Sequence, residues 1–422
     1  MTRFLIYLFP AVADVIIAAT MFVCSNRLAD AGQSRTVVAV VFAAWAIAYI
    51  AGNQILARLV TSRNAAAMMI TANLLFTATA VVFVLIENVW AIYGTMAVLA
   101  VASALFFLPF QLFMKAVEPD QHQGVVRSVA MYTFAWSLGF GSGPFIAGFI
   151  YQGLGWQWCF AFTGLIGLLT ACGIQMLKHH AKHHHGEAVS PSQPACINVG
   201  DLNYHAMPDL ALLQWVVAGV GCLGIYSLLA LLPSVGVSFA IPKSQIGSII
   251  ASLYIMQALV GLSLIRGRIW MFRPIPVTGF AAFGLVSMVG FGVSLLPALG
   301  GLELLTVPLR TICLYVSVAC YGVFSGSFFF GLVFHSLVHP HRSAKYVAIN
   351  EMVVGICGVA GPVIAGTTAD MFGFTAFPMV LIVMIMGATI LQFVVLKRLT
   401  GTTANFAFRS DYDLQTNRKN QF

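Results

Sequence analysis

Residues 178–208 read KHHAKHHHGEAVSPSQPACINVGDLNYHAMP. This stretch is polar and rich in His, Pro and Ser, within a chain of 422 residues that is 60% hydrophobic and only 8% charged. Soluble domains carry roughly 25% charged residues, so a soluble chain of this composition would lack the polar groups to cover its surface. Lipid removes that difficulty by solvating apolar side chains directly. On either side of the polar stretch the sequence is long apolar runs: six before it and six after it.

A helix needs about 20 apolar residues to cross the hydrocarbon core. Twelve runs reach that length, at 4–24, 36–57, 65–86, 90–114, 125–150, 156–177, 210–232, 245–265, 275–296, 308–335, 345–369 and 374–396. Pro109, Pro144, Pro297 and Pro362 fall inside or at the edge of these runs, as membrane helices tolerate. The expected fold class is an all-α membrane protein of twelve transmembrane helices in two pseudo-symmetric six-helix bundles. The expected division is an N-terminal bundle at 1–177, a cytoplasmic linker at 178–208, a C-terminal bundle at 209–397 and a cytoplasmic tail at 398–422. The first run resembles a signal peptide, but it is longer than a usual apolar core, Asp14 interrupts it and no A-x-A cleavage site follows. It reads as the first spanning helix.

Charge gives the orientation. With a cytoplasmic N-terminus, 17 of the 21 Lys and Arg residues fall on the cytoplasmic side; only Arg27, Arg35, Lys243 and Arg310 fall outside. That asymmetry follows the positive-inside rule and places both termini in the cytoplasm, as in a bacterial inner membrane. The formal net charge of +8 therefore points to anionic lipid, not to nucleic acid. The eight cysteines stand singly with no C-x-x-C pair, so neither a disulfide framework nor a zinc site is indicated.

The two halves repeat each other. Gly143-Pro144-Phe145-Ile146-Ala147-Gly148 lies in the fifth run, and Gly361-Pro362-Val363-Ile364-Ala365-Gly366 lies in the eleventh, offset by 218 residues. Arg127 and Lys345 share that offset. Six plus six helices, a cytoplasmic central linker and paired GP motifs resemble the major facilitator superfamily, over residues 4 to about 397. In its drug/proton antiporters the fifth helix often carries G-x-x-x-G-P-x-x-G-G. Here Gly139 to Gly148 matches with Ala147 in place of one Gly. Gly139, Gly143, Pro144, Gly148, Gly361, Pro362 and Gly366 read as a helix-packing motif, because small residues let helix backbones approach. Gly155-Trp156-Gln157-Trp158 is similar to the family's G-W-R-W before helix six. The family's loop between helices two and three keeps Arg58 and Arg63 here but not its Asp or Gly. The antiporters' Arg in helix four is absent.

The resemblance implies a solute cavity between the halves, with access alternating between the two sides. Asp14, ten residues into its run, is the sharpest candidate for proton coupling. A carboxylate at the bilayer centre costs about 2.5–3.5 kcal/mol, and low dielectric favours its neutral form. It reads as a proton site, as a partner for a cationic solute group, or as a carboxyl bonded to a neighbouring helix. Glu351 is the second proton-coupling candidate, a relay or half of a gate; the bland alternative is an ion pair with Arg342 or Lys345. In the family, helices 1, 2, 4, 5, 7, 8, 10 and 11 surround the cavity. On them Gln111, Tyr132, Trp136, Tyr226, Tyr254, Gln257, Tyr321 and Asn350 are substrate-cavity candidates, each weighed against a helix contact or an interfacial anchor. Arg310 is expected to snorkel into the headgroups, His335 to be a solvated interfacial residue, Glu87 to end its helix at the outer surface and Asn73 to make a packing hydrogen bond. The histidines at 179, 180, 183, 184 and 185 lack acidic or Cys partners at regular spacing, so they read as a solvated linker and not as a metal site.

Function follows as a secondary transporter of a small organic solute, proton-coupled, with export slightly favoured over proton-symport import of a nutrient, metabolite or siderophore-like compound. A transporter-derived sensor or receptor is the alternative of another class. No H-E-x-x-H, G-x-S-x-G, P-loop or Asp-rich phosphate motif indicates an enzyme. The expected partners are the solute, protons and the bilayer, with the chain monomeric and without a cofactor.

Overall fold

A computed structural model of the chain describes residues 2–61, 63–117, 125–184, 208–264, 270–296, 306–337 and 343–402. Within these, side chains are described except at 2–7, 111–117, 125–129, 132, 179–184, 337, 343–344 and 400–402. The described residues form twelve α-helices and one 3-10 turn, Trp270–Phe272, with no strand. The helices are α1 Thr2–Asp30, α2 Arg35–Leu56, α3 Ala65–Leu85, α4 Val89–Val117, α5 Val125–Leu154, α6 Trp156–His184, α7 Ala211–Ser238, α8 Lys243–Ser263, α9 Pro274–Ser294, α10 Val307–Leu337, α11 Ser343–Phe372 and α12 Ala376–Thr402.

Each apolar run becomes one helix. Over the described residues, eleven are long and apolar enough to cross a membrane. The one left out is α5, whose Gly139, Gly141, Ser142 and Gly143 dilute it. Several helices outrun their apolar stretches, because backbone hydrogen bonding continues into the interfacial layer. α6 continues past 177 to His184, so the start of the expected linker is helical. Residues 185–207 and the tail beyond 402 lie outside the described residues, as do the side chains of the His cluster and Pro297.

Burial sorts the helices. α3, α6, α9 and α12 expose rows of large apolar residues, among them Leu85, Leu169, Val286 and Val383. In water such faces would drive aggregation; in lipid they are the outer wall. α1 and α7 are buried centrally. The halves meet along two seams, α5 against α8 and α2 against α11. Each seam is the pseudo-symmetric counterpart of the other. Helix ends repeat as well: Gly155 after α5 and Gly373 after α11 both take positive φ, 100° and 84°. Each donates its N–H back to the last turn, Gly155 to Ile150 and Tyr151, Gly373 to Ala369, in the manner of a left-handed C-terminal glycine cap. These two positions are again 218 residues apart.

Two expectations need correction. Arg310 does not snorkel; it is 6% exposed. Its Nη1 donates to the carbonyl oxygens of Ser294 at 2.5 Å and Leu296 at 3.3 Å, and the guanidinium lies 3.9 Å from the ring centroid of Phe239. The unpaired carbonyls at the end of α9 are negative dipole ends, and the ring covers the cation's face. Arg27 does the same for α3 in the first half. It donates to Phe83 and Ile86 carbonyls at 2.9 and 2.7 Å and lies 3.7 Å from the centroid of Trp156. His335 is not solvated either: it is 1% exposed and held edge-on between Phe272 and Phe334. Glu87 is exposed at the end of α3. Asn73 is buried and bonds back to Met69 of its own helix.

Candidate functional site

α1 supplies one wall of the space between the halves. Asp14, Ala18, Met21 and Phe22 stand at helical positions i, i+4, i+7 and i+8, so they share a face. Ala18, Met21 and Phe22 line a cavity with Phe42 of α2, Phe140 and Pro144 of α5, Leu229 of α7, and Ile250 and Tyr254 of α8. Its empty space is about 300 Å³ with open solvent counted, and water-molecule centres can occupy only about 20 Å³ of it, so the cleft is nearly closed. Among the described residues of that lining, Tyr254 contributes the one polar side chain. The walls are thus apolar and aromatic, drawn from both halves.

Toward the expected cytoplasmic side, Trp136 anchors an aromatic cluster. Its ring centroid lies 5.1 Å from Phe140, 5.9 Å from Tyr254 and 5.0 Å from Phe329. Edge-to-face and tilted pairs at these distances are favourable, and here they join α5 to α8 and α10.

Asp14 is 1% exposed, and its Oδ2 has no hydrogen-bond partner. Its position depends on Gly139, since a Cβ there would fall 2.5 Å from Cβ of Asp14. Glycine lets α5 close over the carboxyl. Asp14 lies outside the lining itself, one helical turn from Ala18. A buried acceptor without a donor is costly, so an ionised Asp14 needs a partner: a proton, a water or a solute group.

Glu351 has accessible surface although α11 packs against α7 and α2. It stands at i, i+4 and i+7 with Gly355 and Gly358, whose added Cβ atoms would meet Ile50 of α2 and Ala46 and Tyr226 of α2 and α7, so it is on the α11 face turned toward those helices. Among the described residues no cation pairs with it; Arg342 lies outside them.

The remaining candidates are committed elsewhere. Gln257 is fully buried and donates Nε2–H to Ser137 of α5 at 2.8 Å, while Ser325 of α10 donates to its Oε1 at 2.7 Å. It ties the halves together. Tyr321 donates its hydroxyl to the Gly221 carbonyl at 2.7 Å. Asn350 accepts from the Trp215 indole at 2.6 Å and donates to Leu332 O and Ser336 Oγ. Both hold the C-terminal half together. Gln111 and Tyr132 lie outside the described side chains. Of the helix-packing motif, Gly139 and Gly143 meet α1, Gly148 and Pro144 meet α8, Gly361 meets α7 and Gly366 meets α2. Pro362 lies within α11 one residue after Gly361. The apolar lining residues escaped the sequence reading because apolar residues fill every span; only their helical register with Asp14 marks those on α1.

Similarity searches agree with this architecture. A sequence profile of the Major Facilitator Superfamily matches residues 4–334. The crystal structure of a bacterial homolog of the human lysosomal transporter Spinster, in an inward-facing and occupied conformation, superposes with a TM-score of 0.67. The match covers 93% of this chain and 96% of that one at 12% identity, a likeness of fold alone. Curated protein sequences give no significant match. Twelve helices, two matched seams and a profile running through both halves lead to one conclusion: the chain belongs to the Major Facilitator Superfamily and has its transporter fold.

Proposed function

We propose that the chain is a proton-coupled secondary transporter that exports a small, predominantly apolar organic solute by antiport. The observation that carries this reading is the unpartnered Oδ2 of Asp14, one helical turn from Ala18, which lines the cavity. A proton and a solute that both need this site exclude one another, which is the requirement for exchange. The inward proton gradient then drives the solute out. The apolar, aromatic lining favours hydrophobic contact with the solute, and the lone acid tolerates one basic nitrogen. Glu351, on the α11 face toward α2 and α7, extends a proton route toward the cytoplasm. The two six-helix halves rock about the site, with both termini cytoplasmic. Cross-half hydrogen bonds among the described residues lie at the outer end and at Gln257, which supports an outward-closed state akin to the inward-facing neighbour.

Proteoliposomes with an imposed pH gradient test this reading. Two probes are used, cationic ethidium and neutral Nile red. Antiport predicts that an acid interior drives dye accumulation, while symport requires an acid exterior. Equal dye distribution under both gradients would remove proton coupling.

A further inference from the structure

The outer end of the molecule carries two helix N-termini that are capped from the opposite half. At α2, Arg35 and Thr36 donate their backbone N–H groups to Asp370 of α11, at 3.0 Å to Oδ1 and 2.9 Å to Oδ2, and the Thr36 hydroxyl donates to Oδ2 at 2.6 Å. At α8, Ser244 donates its backbone N–H to Oε1 of Gln152 on α5 at 3.0 Å and its hydroxyl to the same oxygen at 2.5 Å. Thr36 and Ser244 are each the second residue of their helix. Gln152 and Asp370 are 218 residues apart, the offset of the GP motifs.

The bonding pattern is the same in both seams: one acceptor oxygen takes a backbone N–H and the hydroxyl of the same residue. Helix N-termini leave their first N–H groups without intrahelical partners, and here those of Arg35, Thr36 and Ser244 are satisfied in trans. Close approach is prepared one turn earlier. A Cβ on Gly148 would lie 2.7 Å from the Lys243 carbonyl oxygen, and one on Gly366 would lie 2.7 Å from Cα of Thr36. The repeat therefore runs on from the small-residue motif into a cap four residues later.

Charge separates the two caps. Asp370 brings an anion to the positive end of α2, where the helix dipole favours it. Arg35 adds a guanidinium bond to the Ala369 carbonyl and lies 4.0 Å from the centroid of Phe374. Gln152 is neutral. The charge of its seam sits alongside, in the Lys243–Asp30 ion pair at 2.6 Å, with Tyr151 donating to Asp30 at 2.8 Å.

We propose that Asp370 and Gln152 are the paired outer gate of the transport cycle, both caps breaking when the outer end opens and the charged α11–α2 cap holding more strongly. They are positioning residues and touch no solute. The inference rests on the alternating access proposed above but not on proton coupling, and its test needs neither solute nor gradient. Gln33 and Ser238 are exposed on opposite halves at the outer end. Spin labels at Gln33→Cys and Ser238→Cys, in full-length protein with the native cysteines replaced, report the outer opening by electron–electron distance measurement in nanodiscs.

Asp370→Ala is expected to raise the long-distance population about tenfold, the scale of a lost charged cap. Asp370→Asn, which keeps one acceptor oxygen, raises it less, and Gln152→Ala less than Asp370→Ala. Gln152→Glu, which places an anion at α8, lowers the long-distance population below the parent's. General destabilisation would lower the melting temperature without moving the four variants in opposite directions. An Asp370→Ala distribution identical to the parent's overturns the gate, and Gln152→Ala exceeding Asp370→Ala overturns the ranking. If Asp370→Ala fails to fold, Asp370→Asn and Gln152→Glu decide by the sign of their shifts.

Discussion

At the rim formed by the ends of α1, α5 and α11 and the starts of α2 and α8, Asp30 and Asp370 each take donors from the opposite half, and Arg35 and Lys243 are held between ring and acceptor. In the central crevice, Asp14 leaves Oδ2 without a partner and Glu351 has no ion pair among the described residues. Both regions lie between the same two bundles. At the rim, charge is consumed in holding a conformation. In the crevice, two acids are left without such partners among the described residues. An unpaired acid in a low-dielectric site weakens the fold, so an Asp14 kept one turn from the cavity lining, in a molecule that pairs Asp30 and Asp370 at its rim, is what the proposed coupling role requires.

The largest effect that would break this contrast comes from Asp14→Asn. Gradient-driven dye accumulation should fall to the level of empty vesicles, while dye-for-dye exchange continues, because the cavity walls stay intact. Next is Gly139→Val. Its side chain collides with α1 at Ala11 and Asp14, and overpacking of this kind costs about 1–3 kcal/mol. A lowered melting temperature in detergent checks it, and an unchanged one would mean that α5 does not close over Asp14. Arg310→Ala strips donors from the carbonyls that end α9, a loss of about 1–3 kcal/mol, whereas Glu87→Ala at the exposed end of α3 should leave the melting temperature in place. Smallest is Glu351→Gln, expected to slow proton-driven uptake severalfold without changing dye affinity. A change in affinity alone would move Glu351 from the proton route to the solute site.

Much of the fold was legible in the sequence, because the hydrocarbon thickness sets one length for every helix and lipid demands apolar side chains along it. The runs from Phe4 to Leu396 therefore read directly as helices, and the paired GP motifs gave the repeat. The site was legible only in part. Asp14 and Glu351 stood out as acids in greasy surroundings. Phe42, Leu229 and Ile250 did not, since facing decides their role and every span holds such residues. Arg310 and His335 were misread for a related reason. Their sequence positions near helix ends suggested water or headgroups, but the open carbonyls of α9 and the rings of Phe272 and Phe334 lie nearer. Gln152 and Asp370 were hidden until the backbone ends of α8 and α2 came into view, though their shared offset from the GP motifs was already in the chain.

The most direct test of the account is proton release on solute binding by the purified protein, followed with a pH dye in weakly buffered detergent solution. The solute is whichever of the two dyes the vesicles accumulate. The account predicts that the parent releases a proton as the dye binds and that Asp14→Asn binds the dye without release. Release of the same size from Asp14→Asn, or dye binding by the parent with no release at all, would contradict it.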